Sequence, residues 1–143
     1  MVSHLLMQRA LRTKLLTMTG LPTARAWENI NYTPTIGTAW VKETYLPGPM
    51  FRETVGSSAQ LEVRPTYIVE FYSGENIGMD ALSLLADTCL ELFAPGTEMT
   101  AGSDVLRVRG DTAPYRGQVL TGGDGFASVA VTIPCRIRTT NSI

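Results

Sequence analysis

An α+β fold, with two helices packed on one mainly antiparallel β-sheet, is what this sequence predicts. Three observations carry the prediction. Segments 3–19 and 77–93 repeat apolar residues at helical spacing. Segments 60–72 and 126–138 alternate between two side-chain sets, as half-buried strands do. The order along the chain is helix, strands, helix, strands, without the regular strand–helix alternation that builds parallel sheets. At 143 residues the chain is one domain. That size buries roughly 68–70% of the unfolded surface and needs no metal or disulfide staple.

Each element follows from its residues. In Ser3–Thr19, Met7, Leu11, Leu15 and Met18 share one stripe, which Leu6 and Ala10 widen. Gly20 followed by Pro22 ends it. A turn-rich stretch holds a short extended piece at Trp27–Ile30, and Thr38–Leu46 reads as a strand stopped by Pro47-Gly48-Pro49. Residues 47–59 read as a long loop, of which 50–55 are expected to be dispensable for the fold. Gln60–Tyr72 alternates along its whole length, and Pro65, which cannot donate to a ladder, predicts a bulge or an edge there. The second helix spans Ile77–Phe93, with Ala81, Leu82, Leu85, Cys89, Leu92 and Phe93 inward and Asp80, Asp87 and Glu91 outward; Pro95-Gly96 terminates it. Strands follow at 97–100, 104–109, 118–120 and 126–138, with a hairpin turn at 101–104 and a loop at 110–125.

Charge is scarce. Only 17% of residues are Asp, Glu, Lys or Arg, against roughly 25% in soluble domains. The hydrophobic fraction is an ordinary 44% and the net charge −1, which excludes a disordered chain. A surface this poor in charge suits a subunit packed among others. The longest uncharged run, 29–41, is 13 residues and contains Pro34 and Gly37, so it does not span a bilayer. The first residues lack a basic start and a sustained apolar run, so no secretion signal is expected. Two cysteines, Cys89 and Cys135, make no disulfide framework and are expected as buried thiols of a protein folded in a reducing cytoplasm. Residues 1–25 carry Arg9, Arg12, Lys14 and Arg25 and no acid, whereas the remainder holds all 13 acids. The basic segment lacks the density and the interleaved aromatics of a nucleic-acid arm. A helix face meeting an acidic neighbour explains it better.

Catalytic chemistry finds little support. His4 is the one histidine and sits at the amino terminus, without an ordered nucleophile and carboxylate. Cys89 lies on the apolar stripe of the second helix, as a structural thiol does. One His and two distant Cys match no zinc spacing, so neither metal nor cofactor is expected. The glycine string 121–125 lacks the lysine and the helix of a phosphate loop. Arg109-Gly110-Asp111 is ordinary turn chemistry at a strand end, and the sequon at Asn31 has no secretion signal to make it usable. Trp27, Tyr32, Trp40, Tyr45, Tyr67, Phe71 and Tyr72 have strand spacing without basic partners, which points to sheet packing rather than base stacking. Asp87 and Glu91 are expected to pair with Arg9 and Arg12, within a subunit or across an interface.

The order of several short motifs resembles the tail terminator-like proteins of long-tailed bacteriophages. These are Ala10–Leu16, Leu21-Pro22, Ala26-Trp27-Glu28-Asn29, Tyr32-Thr33-Pro34, the strand from Gly37 to Tyr45, Phe93–Thr97, Thr100-Ala101-Gly102, and Asp124–Phe126 leading to Val131–Pro134. They are packing and turn residues, and their spacing across nearly the whole chain carries the resemblance. It implies a non-enzymatic virion subunit of the tail's head-proximal end, assembled in the bacterial cytoplasm. Six copies would close into a ring on the tail tube protein, stop tube growth and offer a docking face to the head-side connector or stopper. DNA would pass the lumen without specific binding. Loop residues Met50, Phe51, Arg52 and Glu53 match no motif of the family and are expected to contact a neighbouring ring or subunit, with Phe51 as the apolar anchor. Loop 110–125, with Arg116, is the second candidate contact. The alternatives are another connector or stopper ring, or a small nucleic-acid-binding module using Arg9, Arg12 and Lys14.

Overall fold

The structure, a computed structural model, describes residues 3–27, 32–34, 38–52, 60–74, 80–121 and 125–140. Helix α1 spans His4–Leu15 and is capped by the Ser3 hydroxyl, which accepts from the Leu6 amide. It buries Met7, Leu11 and Leu15. The helix ends four residues before Thr19: Thr17 and Met18 turn their amides back to the Lys14 and Leu15 carbonyls, and Thr17 Oγ1 also donates to Lys14 O. Met18 stays on the buried stripe from that turn. Strand β1 is Ala24–Ala26, earlier than the predicted piece at Trp27–Ile30, of which residues 28–30 lie outside the described residues. It pairs in parallel with β2, Trp40–Leu46.

Residues 50–52 are not loop. Strand β3, Met50–Arg52, pairs antiparallel with β4, Gln60–Val63. Ladder pairing with β4 supplies what three residues behind Pro49 cannot supply alone, so the segment is an edge strand of the sheet. The predicted strand 60–72 breaks at Pro65 into β4 and β5, Thr66–Gly74. Gly48, at φ +70°, turns against this break, where a Cβ would lie 2.0 Å from the Arg64 carbonyl oxygen.

Helix α2, Asp80–Leu92, buries Leu82, Ala86 and Cys89, with Phe93 completing the stripe; the predicted start at 77–79 lies outside the described residues. Ala81 is exposed, because one residue along a helix turns about 100° away from Leu82. Strands β6 (Glu98–Ala101) and β7 (Asp104–Val108) form a hairpin over Gly102-Ser103, with Gly102 at φ +67°. Short strands β8 (Tyr115–Arg116) and β9 (Leu120–Thr121) interrupt the predicted 110–125 loop.

The last strand, β10 (Phe126–Thr140), organises the rest. Its first part pairs with β5 on one side and with β8 and β9 on the other. Its second part pairs with β4 and β7. The change of partners falls at Pro134 and Cys135, opposite the β4–β5 break, where the Cys135 amide donates to the Pro65 carbonyl at 2.9 Å. One strand thus serves two parts of a curled sheet, and both prolines sit at the corner. Val129, Val131, Ile133, Cys135 and Ile137 face inward with Val41, Tyr67, Val69 and Phe71, under both helices. The predicted two-helix, mainly antiparallel α+β architecture is the one observed.

Candidate interface surfaces

Arg12 does not serve the acids of α2. Its guanidinium turns to the sheet, where Nε donates to Glu43 Oε1 at 2.9 Å and Nη2 makes an ion pair with the same oxygen. Glu43 is fully buried in β2, and Tyr67 Oη donates to its other oxygen at 2.5 Å. Burial and the adjacent Glu43 carboxylate both push the Tyr67 hydroxyl far above its usual range. Arg12 also lies over the Trp27 ring, 4.7 Å from its centroid. Strand alternation places Glu43 on the same side as Val41 and Tyr45, so a buried carboxylate enters the core and needs a cation above it. Within the chain, the expected pairing of Arg12 with Asp87 and Glu91 gives way to this network. A residue so engaged is also a poor phosphate contact, which takes Arg12 out of the basic set Arg9, Arg12 and Lys14.

A second carboxylate, Glu62, is buried on the opposite, helix-free side of the sheet. Arg64 Nε donates to it at 2.7 Å and Arg138 Nε at 3.3 Å. Burial pushes its carboxyl up, but the hydrogen bonds and charges of Arg64 and Arg138 outweigh this and hold it below its ordinary value. Beside this group, outward-facing residues of β7 and β10 line a cavity of about 350 Å³, bounded by Asp104, Val105, Arg107, Arg136 and Arg138. Arg136 and Arg107 are direct cross-strand partners, and Arg107 pairs with Glu98 at 3.0 Å. The N-terminal bias of charge in the sequence masks this arginine surface. Its signal was Arg136 and Arg138 two apart on an alternating strand, with Arg107 on a neighbouring one.

The α2 acids are outward, as expected. Asp80, Asp87 and Glu91 are exposed, and Leu84, 68% exposed, stands among them. Arg9 is exposed on α1, where Leu6, Ala10, Lys14 and Met99 line a shallow groove of about 430 Å³ with it. Arg116 donates to Ser83 Oγ at 3.0 Å, so this loop candidate reaches back to α2. Met50 is exposed at the start of β3; Phe51 and Arg52 continue that strand, and Glu53 lies outside the described residues. On the helix-free side, Leu46, Tyr115 and Leu120 are exposed large apolar residues. Trp40 stacks on its cross-strand partner Tyr72, with centroids 3.9 Å apart and planes 9° from parallel, and meets Phe126 edge-on. The aromatics therefore pack the sheet.

The residues weighed for catalysis in the sequence are each placed in a structural setting. His4 Nδ1 is hydrogen-bonded to Tyr45 Oη at 2.8 Å, across from the helix it begins. Cys89 and Cys135 are buried, and burial pushes both thiols up to about 12. Among the described residues no group of three or more His, Cys, Asp or Glu is placed to hold a metal, and no helix is long and apolar enough to cross a membrane. Asp111 is exposed and bonded by Arg109 at 2.8 and 3.0 Å, which keeps that tripeptide in a turn.

A solved structure 23% identical in sequence superposes with a TM-score of 0.71 over 96% of each chain, which supports the fold alone. No curated protein matches the sequence. The model of the family described as phage tail terminator protein matches residues 6–138. The chain therefore belongs to the phage tail terminator family, a family of structural proteins of the phage tail.

Proposed function

We propose that this chain is the subunit of a ring, most simply of six copies, that caps the tail tube, ends its polymerisation and presents a docking face to the head-side connector. Family membership supplies the tail role. The observation that carries the rest is the presence of chemically distinct surfaces around one curled sheet. One is an acidic helix face around Leu84, the second an arginine-lined cavity, and the third a helix-free face with exposed Leu46, Tyr115 and Leu120. A capping ring requires lateral contacts that repeat and two unlike axial faces, and head-to-tail contacts that close provide the first. The helix-free apolar face and the exposed Met50 at the β3 edge are the axial candidates, Met50 toward the tube or a neighbouring ring. DNA would pass through the lumen without specific contact.

Light-scattering mass with negative-stain imaging, together with growth of tail tubes from purified tube protein, tests this reading. The expected results are a six-fold ring and tubes that stop elongating when it is added. A protein that stays monomeric and leaves tube length unchanged would overturn it.

A further inference from the structure

We infer that the arginine-lined cavity of the outer sheet receives the acidic face of α2 from a second copy of this chain. This rests on the ring reading above and names its lateral contact. Arg107 and Arg136 stand directly opposite each other on adjacent strands, an arrangement of like charges that is unfavourable by itself. Arg138 follows two residues on, facing the same way, and the exposed Val105 forms an apolar wall of the same cavity. Arg107 has Glu98 and Arg138 has Glu62 within the subunit, whereas no carboxylate among the described residues pairs with Arg136. A carboxylate brought from outside between Arg107 and Arg136 would turn the repulsion into attraction.

The acids that fit are on α2. Asp80, Leu84, Asp87 and Glu91 recur at spacings of four, three and four, so they form one exposed stripe with a leucine among three carboxylates. None of the three carboxylates has an ion-pair partner among the described residues. The stripe presents an apolar knob with acidic flanks, and the cavity presents an apolar wall with basic flanks. The helix lies on the core side of the sheet and the cavity on the helix-free side, so two copies meet through different surfaces. That is a heterologous contact, the kind that closes into rings. DNA is a weaker occupant. Arg107 and Arg138 are already held by Glu98 and Glu62, so the cavity lacks the run of cations along which a duplex lays successive phosphates, whereas a carboxylate needs only the Arg107–Arg136 pair.

Charge reversal in trans tests the inference. Arg136→Glu, and separately the pair Asp87→Arg and Glu91→Arg, change exposed or half-exposed side chains outside the core. Each variant alone is expected to raise the concentration for half-assembly at least about tenfold. An equimolar mixture of the two is expected to recover the assembly, because each variant's altered surface then meets its complement in an alternating ring of even number. Recovery on mixing also establishes that both variants are folded. Wild-type assembly should weaken as salt rises. Variants that assemble like the wild type, or a mixture that stays dissociated, would overturn the inference. So would a short DNA duplex bound by the wild type and released by Arg136→Glu while the oligomer persists. A wild-type protein that is monomeric at every concentration would instead overturn the ring reading itself.

Discussion

Replacing Arg12 with methionine removes the cation above Glu43 while keeping most of the apolar stem over Trp27. Glu43 would then keep its bond from Tyr67 but lose its ion-pair partner in a site with no solvent exposure. Removing one partner of a buried pair costs about 3–5 kcal/mol. Arg12 itself is 30% exposed, which places the expected loss near the lower end, about 3 kcal/mol. With an unfolding entropy of about 2.1 cal/mol/K per residue, a chain of 143 residues would lose about 10 °C in melting temperature. Urea and thermal unfolding followed by circular dichroism measure this, at a concentration where the assembly state of both proteins is known. Adding Glu43→Gln to Arg12→Met should return part of the loss, since a neutral amide tolerates burial without a cation and still accepts from Tyr67. An Arg12→Met variant within about 0.5 kcal/mol of wild type, or a double variant showing the full sum of the single losses, would refute the buried-pair reasoning.

Three further outcomes follow from the same geometry. Gly48→Ala should destabilise by at least about 2 kcal/mol, because the left-handed backbone and the Arg64 carbonyl both oppose a Cβ. Gly20→Ala, at φ +79° with open space around it, should cost only about 1 kcal/mol, and urea titrations of the two variants check the difference. Glu62 titrates in the folded state below its ordinary value of 4.5, so its contribution is present above that value and lost as pH falls through the folded one. Glu62→Gln should therefore lower stability at neutral pH and flatten the acid limb of the stability profile, measured by denaturant titration at successive pH values. With both thiols pushed up to about 12, Cys89 and Cys135 should resist alkylation in the native protein at mildly alkaline pH. Both should label on unfolding, as read by intact mass.

The helices and long strands were legible because each buries one face and the burial period is local. Met7, Leu11 and Leu15 needed only helical spacing to be read as core, and Val129, Val131 and Ile133 only alternation. What the sequence hid was non-local. The residues of β3 read as loop, since Pro47-Gly48-Pro49 precedes them and only their ladder with β4 makes them a strand. Nothing near Arg12 in sequence announces Glu43, and helix spacing alone could not choose between that acid and those of α2. Glu62 sits on the polar phase of its strand, and its burial depends on Arg64 and Arg138, the latter distant in sequence, lying over it. The α2 stripe was legible in direction, because its acids point away from the apolar positions. The arginine cavity was not, because it forms where β7 meets the second part of β10.

The low charge content means more once these pairs are placed. Arg12 and Glu43, Glu62 with Arg64 and Arg138, Arg107 with Glu98, and Arg109 with Asp111 already engage one another inside the subunit. The charge left for contacts is therefore scarcer than 17% suggests. On three surfaces it is also largely sorted by sign: Asp80, Asp87 and Glu91 share α2, whereas Arg9 and Lys14 lie on α1 and Arg136 on the outer sheet. Solubility alone favours interspersed signs. Segregated signs discriminate between ways of associating. A two-fold contact through α2 would bring carboxylates against carboxylates, and one through the arginine cavity would bring guanidinium groups together. A head-to-tail contact instead sets opposite signs against each other at every repeat. Electrostatics thus oppose the closed dimer that is the commonest oligomer and favour a head-to-tail contact, the kind on which the proposed ring rests.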